Sequence, residues 1–193
     1  MRIEDGLRAD HRAQASALYW EAFGPKLGIV LGPQDKGLAF INRVLDPMHA
    51  ISAIGDDGAL LGVAGFKTQK GALVGGTFAD LRAVFGFLGA TWRGLLVEVL
   101  ERDTENKRFL MDGIFVSPEA RGQGVGTALL NAICVEARKR GYTEVRLDVI
   151  DTNPRARALY ERQGFVAIDT KNIGPLRHIF GFRSATTMVR ALT

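Results

Sequence analysis

The segment of this chain with the clearest capacity for chemistry is residues 121–127, Arg-Gly-Gln-Gly-Val-Gly-Thr. It lies between an apolar run that predicts a strand and an amphipathic run that predicts a helix. Backbone N–H groups at a helix N-terminus have no partner within the helix and lie at the positive end of its dipole, so they bind phosphate. Glycines let the backbone approach such a group without an intervening Cβ, and Arg121 adds positive charge. The spacing therefore predicts a phosphate-binding loop.

Three kinds of phosphate-binding loop have glycines at comparable spacing. A Walker A loop requires a lysine directly after its last glycine, and no lysine follows these glycines. A dinucleotide fingerprint, Gly-x-Gly-x-x-Gly, would place its third glycine at Thr127, although Asp148 and Asp151 lie at a suitable distance for a ribose-binding acid. The mismatch at Thr127 and the late position of the loop disfavour a nicotinamide or flavin enzyme. The third interpretation is a loop that binds the pyrophosphate of an acyl-CoA.

Two motifs support the third interpretation through a family resemblance. Residues 113–130, GIFVSPEARGQGVGTALL, resemble the signature Q/R-x-x-G-x-G/A of the GNAT acetyltransferase superfamily with its usual preceding strand. Residues 153–165, NPRARALYERQGF, resemble the second landmark of that family, N-x-x-A-x-x-L-Y-x-x-x-G-F. The resemblance is detailed over residues 109–168. It implies an α/β fold with a mixed, mostly antiparallel central sheet that is splayed at a parallel strand pair and flanked by helices.

The resemblance also implies that acetyl-CoA, as co-substrate, lies in the splayed gap with its pyrophosphate on the glycine loop. The expected cofactor-binding residues are those of the loop and of the strand before it: Ile114, Phe115, Val116, Arg121, Gly122, Gln123, Gly124, Val125, Gly126 and Thr127. Three more arginines, Arg138, Arg155 and Arg157, are expected to supply positive charge near an anionic cofactor. A strand N–H is expected to stabilise the oxyanion that forms when an amine attacks the thioester. No metal and no other cofactor is implied.

Three polar side chains are candidates for direct roles. Asn153 resembles the family residue that hydrogen-bonds the cofactor amide, and it is equally well placed as a helix N-cap. Tyr160 resembles the general acid that protonates the departing thiolate, and its alternative role is a packed core aromatic. Asp112, on the same strand face as Ile114, is the candidate base for the attacking ammonium, and its alternative is a solvated aspartate at a strand end. Asp148 is interpreted as a strand carboxylate paired with an arginine.

The resulting hypothesis is a single acyl-CoA N-acyltransferase domain over residues 1–193. It would transfer an acetyl group from acetyl-CoA to a primary amine by direct attack through a tetrahedral intermediate. An alternative of another class is a non-catalytic sensor or scaffold of the same fold that binds acyl-CoA without turnover. The acceptor stays open among a small amine or aminoglycoside-like antibiotic, an amino acid, and a protein N-terminus or lysine.

Hydrophobic periodicity and turn residues predict the elements that position these groups. Strands are expected at 50–54, 60–68, 109–116, 144–150, 165–169 and 185–192. Helices are expected from a cap at Asp10 to about Gly24, and at 36–45, 125–140 and 154–163. A strand–helix–strand–helix–strand order with short connections indicates layered α/β structure with at least one parallel pair.

Residues 71–107 form a longer connection than the family outline has. Their apolar residues keep helical spacing, while Gly86, Gly89 and Gly94 weaken it, which predicts one broken helix or two short ones. This helical insertion is expected to pack on the core or on a second subunit and to build or cover the acceptor site. Its polar face mixes arginines with Glu98, Glu101 and Asp103, which disfavours a membrane-surface helix. These carboxylates and Glu105 are interspersed with Arg and Lys, which leaves a polycationic acceptor open. The insertion or the last strand is the expected contact of a possible homodimer.

Composition excludes or disfavours several classes of protein. The 193 residues include 25 Lys and Arg against 21 Asp and Glu, a net charge of +4 that is too mild to indicate nucleic-acid binding. No apolar run reaches the roughly 20 residues of a spanning helix, and residues 1–5 show no signal peptide, so a cytoplasmic location is expected. The single cysteine, Cys134, excludes a disulfide scaffold and is expected in the core. His11, His49 and His178 are expected to be surface or capping residues.

Overall fold

The computed structural model describes residues 1–100 and 107–192, and among these the side chains of all residues except 26, 95–100 and 178–179. The strands are β1 (Arg2–Asp5), β2 (Ala50–Ile54), β3 (Leu60–Thr68), β4 (Gly71–Ala72), β5 (Phe109–Val116), β6 (Glu144–Ile150), β7 (Val166–Asn172) and β8 (Ser184–Ala191). The α-helices are α1 (Arg12–Leu31), α2 (Gln34–Val44), α3 (Phe78–Leu100), α4 (Val125–Lys139), α5 (Pro154–Arg162) and α6 (Arg177–Phe180).

The strands form one mixed sheet in the order β1-β2-β3-β5-β6-β8-β7, with β4 added to β3. The pairs along this order are antiparallel except for β5 and β6, which run parallel. This arrangement confirms the predicted fold class. The last strand, β8, lies between β6 and β7 and has both edges paired within the chain.

Two layers of helices cover the sheet. Helix α4 places its apolar stripe on one face, where Leu129, Leu130 and Ile133 are fully buried among side chains of β3, β5 and β6. Cys134 lies on that stripe and is buried, as expected. On the opposite face, α1 buries Ala15 and Leu18 against the other side of β2, β3 and β5. Burial of these two stripes removes apolar area from water and fixes both helices relative to the sheet.

Helix α1 differs from the prediction at both ends. It begins at Arg12, and Asp10 lies in a preceding single turn, Ala9–His11, without capping the helix by its side chain. It continues through Pro25 to Leu31, well beyond the expected end at Gly24. Val30 and Leu31 are buried there against α2 and α3, and this tertiary packing outweighs the helix-breaking tendency of the Gly-Pro pair.

Two histidines are also placed differently from the expectation. His49 is only 7% exposed, and its Nδ1 and Nε2 lie 2.7 Å from Asp46 Oδ2 and 2.9 Å from Thr68 Oγ1. His11 is 8% exposed, with Nε2 3.0 Å from the carbonyl oxygen of Gly58. Asp46 is only three residues from His49, whereas Thr68 and Gly58 are brought close by the tertiary fold. The side chain of His178 lies outside the described residues.

The insertion contains one helix with a kink, as predicted. Gly86 has φ 72° and ψ 175° inside α3, values that interrupt the helical backbone and that glycine adopts without strain. The helix packs on α1, α2 and the α6 segment in a third apolar cluster with Phe40, Leu81 and Phe180 at its centre. Arg93 joins α3 to the end of α1, because its Nε and Nη2 donate hydrogen bonds to Val30 O at 2.6 Å and Gly32 O at 2.9 Å. Residues 101–106, with Glu101, Asp103 and Glu105, and the side chain of Glu98 lie outside the described residues.

Candidate functional site

The parallel pair β5–β6 opens into a gap. The strands are paired at Phe109↔Val145 and Leu110↔Arg146, and the described ladder contains no pair beyond these two. From there to their carboxyl ends, the two strands diverge. The predicted splay is therefore present, and it exposes the edge of β5 that precedes the glycine loop.

A bulge in β5 changes the direction of its side chains. The ladder with β3 joins Met111 to Phe66 and Gly113 to Gly65, so Asp112 is an extra residue. Phe109 and Met111 pack on the α4 side, whereas Phe115 packs on the α1 side, although all three have odd numbers. Regular alternation would keep them on one face, so the bulge inverts the strand. Sequence periodicity alone does not reveal this.

A cleft of about 540 Å³ extends from the gap to the glycine loop. It is lined by residues of α1, β5, the loop, α4 and α5: Leu18, Ala22, Ile114, Phe115, Val116, Ala120, Arg121, Gly122, Gly124, Val125, Gly126, Thr127, Asn153, Arg155, Ala156, Leu159 and Arg162. The structure thus brings together nearly all of the expected cofactor-binding residues. Gln123 is the exception: it does not line the cleft, because its Nε2 turns back to donate to Glu119 O at 2.7 Å.

The loop backbone forms a cradle at the start of α4. Gly122 and Gly124 have φ 81° and 82°, and a Cβ at either position would meet no protein atom within 4 Å. The first backbone hydrogen bond of the helix joins Ala128 N–H to Gly124 O at 3.0 Å, so the amides of residues 125–127 precede it. Such amides are free of intrahelical partners and attract anions. A Cβ on Gly126 would lie 3.1 Å from Leu159, so glycine also permits α4 and α5 to approach closely.

Arginines make the cleft basic, although not all of the expected ones contribute. Arg121, Arg155 and Arg162 line it, and no carboxylate is among its described lining residues. Arg138 lies near the far end of α4, about 20 Å along the helix from the loop, and does not line the cleft. Arg157 does not line the cleft either, and it pairs with Glu161 at 2.9 Å. Arg162 was not predicted from the sequence, although its i+7 spacing from Arg155 places both on one face of α5.

A smaller cavity of about 80 Å³ lies at the base of the gap. Its lining comes from α1, β5, β6 and α5: Phe23, Met111, Asp112, Gly113, Ile114, Asp148, Val149, Ile150, Asn153, Ala156 and Tyr160. Ile114, Asn153 and Ala156 also line the larger cleft, so the two cavities meet. A Cβ on Gly113 would lie 2.8 Å from the Phe23 ring, so glycine lets this ring cover the strand.

The polar residues of the smaller cavity have distinct settings. Tyr160 is 5% exposed, packs against Phe165, and has its pKa raised to about 12 by burial. Asp112 is exposed at the bulge. Asp148 pairs with Arg146 at 3.2 Å, as interpreted from the sequence. Asn153 caps α5, since its Oδ1 accepts a hydrogen bond from Ala156 N–H at 3.2 Å, while its side chain also borders both cavities.

The sequence of the chain matches a known family. The profile of the acetyltransferase (GNAT) family matches residues 13–165, and the chain belongs to this family. The chain is 31% identical over 81 residues to thialysine N-epsilon-acetyltransferase of Bos taurus, an alignment that covers 42% of this chain and 41% of that protein. It is 35% identical over 82 residues to N-acetyltransferase 8 of Homo sapiens, covering 42% and 34%. The alignments thus span about two fifths or less of these curated relatives.

Solved structures support the fold. A protein described as histone acetyltransferase HPA2 and related acetyltransferase, from Corynebacterium glutamicum, superposes with a TM-score of 0.67 at 20% identity, covering 99% of this chain and 96% of that one. An N-acetyltransferase from Staphylococcus aureus Mu50 gives a TM-score of 0.67 at 13% identity, covering 98% and 100%. Within the described part of the chain, no helix is both long and apolar enough to cross a membrane. The same residues include no group of three or more His, Cys, Asp or Glu arranged to hold a metal ion.

Proposed function

We propose that this chain is an acyltransferase domain that binds acetyl-CoA in the larger cleft and acetylates a primary amine at the smaller cavity. The observation that supports it best is the combination of an open glycine cradle at the start of α4 with three arginines around one cleft. A diphosphate fits this combination, because free amides and guanidinium groups both bind phosphate oxygens. The cleft also leads directly into the gap between the parallel strands, where an acyl group would meet the acceptor.

The edge of β5 and the glycine loop are proposed to bind different parts of the cofactor. The amides of residues 125–127 and the side chains of Arg155 and Arg162 are proposed to hold the phosphates. The edge of β5 at Ile114–Val116 faces the gap without a ladder partner in β6, so it is available to hydrogen-bond the extended amide chain of the cofactor. One N–H of this edge is proposed to stabilise the oxyanion. Asn153 is proposed to add a side-chain contact while it caps α5.

Tyr160 is proposed to be the general acid. Its burial keeps the pKa at about 12, so the phenol retains its proton at neutral pH and can donate it to a departing thiolate. Asp112 is proposed to accept the proton that an attacking ammonium must lose. Asp112 is exposed on the bulge and lines the same cavity as Tyr160. The proposed acid is therefore supplied by α5 and the proposed base by β5.

The acceptor side lies next to α1, and the insertion is proposed to act on it indirectly. None of the described side chains of residues 71–94 lines either cavity. Helix α3 instead supports α1, which provides Phe23 to the smaller cavity. Exchange of segment 71–107 is expected to change acceptor preference while the affinity for CoA survives. The name of the Bos taurus relative, an N-epsilon-acetyltransferase, supports an alkyl amine as the acceptor class.

The test is an acceptor screen that follows thiol release from acetyl-CoA, run with the wild type and Tyr160→Phe, together with calorimetric titration of CoA. The proposal expects CoA binding by both proteins and amine-dependent thiol release by the wild type. A rate loss of about 100-fold in Tyr160→Phe is expected for a general acid. CoA binding without turnover for any amine would instead identify a non-catalytic acyl-CoA sensor. Failure to bind CoA would overturn the proposal altogether.

A further inference from the structure

The two cavities that meet at the gap have linings of opposite charge. The larger cleft is lined by three arginines and no described carboxylate. The smaller cavity is lined by two aspartates and, among the described residues, by no Lys, Arg or His. A surface divided in this way favours an anion in one cavity and a cation in the other. The basic cavity is accounted for by the cofactor, whereas the acidic one is not.

The two carboxylates come from the two strands that border the gap, and both line the smaller cavity. Leu110↔Arg146 is the last pair of the parallel ladder, and two residues further along each strand are Asp112 and Asp148. They therefore flank the opening of the gap from its two sides, with Tyr160 lining the same space. The ring of Phe23 lines it as well, and an aromatic face together with carboxylates is the chemistry that binds an alkylammonium ion.

Asp148 is held in place by its neighbours. Its Oδ1 accepts a hydrogen bond from Thr187 Oγ1 at 2.5 Å, and its Oδ2 lies 3.2 Å from Nη2 of the buried Arg146. These contacts orient the carboxylate on β6.

We infer that Asp148 determines acceptor specificity: it recognises a protonated alkylamine and rejects amines that carry a carboxylate close to the reacting nitrogen. This inference rests on the proposed function and names its substrate class, an alkylammonium at the end of a short methylene chain. A carboxylate on the acceptor would meet Asp112 and Asp148 at close range in a small cavity, where like charges repel each other. Free α-amino acids are accordingly excluded at their α-nitrogen.

The test compares two acceptors that have alkylamines of similar basicity, n-propylamine and β-alanine, of which only β-alanine has a carboxylate. The wild type is expected to prefer n-propylamine by about ten-fold or more in kcat/KM, the size of effect that close charge pairs produce. In Asp148→Asn the preference is expected to fall to about two-fold, mainly through a lower KM for β-alanine, because its carboxylate then meets one negative charge fewer. A merely structural role of Asp148 would lower both rates and leave their ratio unchanged.

Asp169→Asn is the matched control. Asp169 lies on β7, opposite Thr187 of β8, so this change removes the same charge two strands away from β6, which lines the cavity. The acceptor ratio of Asp169→Asn is expected to equal that of the wild type. An equal ratio in Asp148→Asn and the wild type, or a wild type that prefers β-alanine, would overturn the inference.

Two further measurements separate folding and function from specificity. If Asp148→Asn does not fold, Thr187→Val keeps both carboxylates and removes one contact that orients Asp148, and its acceptor ratio is expected to fall by about three-fold. An unchanged ratio in this variant counts against the inference. If the wild type shows no turnover with any amine, the proposed function fails. Calorimetry of n-propylammonium binding to the CoA complex then tests the cavity itself, with binding expected in the wild type and lost in Asp148→Asn.

Discussion

Glu21 and Arg121 form an ion pair across the mouth of the larger cleft, with Oε1 of Glu21 2.6 Å from Nη2 of Arg121. Arg121 also donates from Nε to Val116 O at 3.2 Å, so its guanidinium joins α1, β5 and the glycine loop. Both partners are about half exposed, at 47% each. A phosphate that binds Arg121 must therefore compete with a carboxylate already in place.

Glu21→Gln is expected to tighten CoA binding. The change releases Arg121 and removes negative charge from the mouth of the cleft, and an exposed ion pair of this kind corresponds to about a two- to five-fold change in Kd. Calorimetric titration of CoA measures it. Glu161→Gln, which breaks the Arg157–Glu161 pair elsewhere on α5, serves as the control and is expected to leave Kd unchanged. Weaker binding by Glu21→Gln would show that the pair preorganises Arg121 instead of competing for it.

Gly124→Ala tests the cradle against a matched glycine at the other end of α4. Gly124 and Gly141 both have φ 82°, and a Cβ at either meets no protein atom within 4 Å. Each substitution is expected to cost about 1 kcal/mol of stability, the strain of a left-handed alanine. Only Gly124→Ala is expected to lose CoA affinity, by about ten-fold or more, because its Cβ would occupy the phosphate cradle. Urea unfolding and CoA titration of both variants provide the comparison. Equal affinities of the two variants for CoA would show that Gly124 does not form part of a phosphate-binding cradle.

Tyr160→Phe is expected to alter the dependence of stability on alkaline pH. Burial raises the pKa of Tyr160 from 10.0 to about 12, so the folded state keeps a proton that the unfolded state loses. The contribution of this proton to the free energy of unfolding is fully present below pH 10 and is lost as the pH rises through 12. Between about pH 9 and pH 11 the loss is about 1 kcal/mol. Phenylalanine has no such proton. The difference in free energy of unfolding between wild type and variant should therefore shrink by this amount, and a difference that does not vary with pH would refute the burial of an ionisable phenol.

Arg93→Ala is expected to destabilise the protein by about 2 kcal/mol, because two carbonyl groups at the end of α1 lose a charged donor. The guanidinium also lies 4.1 Å from the Phe85 ring centroid and 4.2 Å from that of Trp92. Arg82→Ala, an exposed arginine on the same helix, is expected to change stability by less than about 0.5 kcal/mol. Thermal and urea unfolding of both variants check this difference. Equal effects would mean that α3 is held to α1 by apolar packing alone.

The sequence predicted those parts of the candidate site whose structure depends on residues close together in the chain. The glycine loop, the cap at Asn153 and the position of Tyr160 on α5 depend on residues close together in the chain, and each occupies its expected place. Short-range patterns could not predict the bulge at Asp112, because the inversion of β5 is imposed by its pairing with β3. The burial of His49 and the length of α1 likewise depend on side chains that only the tertiary fold brings close. Arg162 was recognisable by its helical spacing from Arg155.

The short parallel ladder also has a mechanical consequence. Strands β1 to β5 and strands β6 to β8 form two halves that share backbone hydrogen bonds only along Phe109–Leu110 and Val145–Arg146 in the described ladder. Packing of α4 across β3, β5 and β6 is therefore the main connection between them. A ligand that hydrogen-bonds in the gap would be a second connection between the two halves of the sheet. The cooperativity with which the halves unfold should therefore increase with the ligand concentration. The protein is expected to be most resistant to proteolysis while the proposed cofactor is bound.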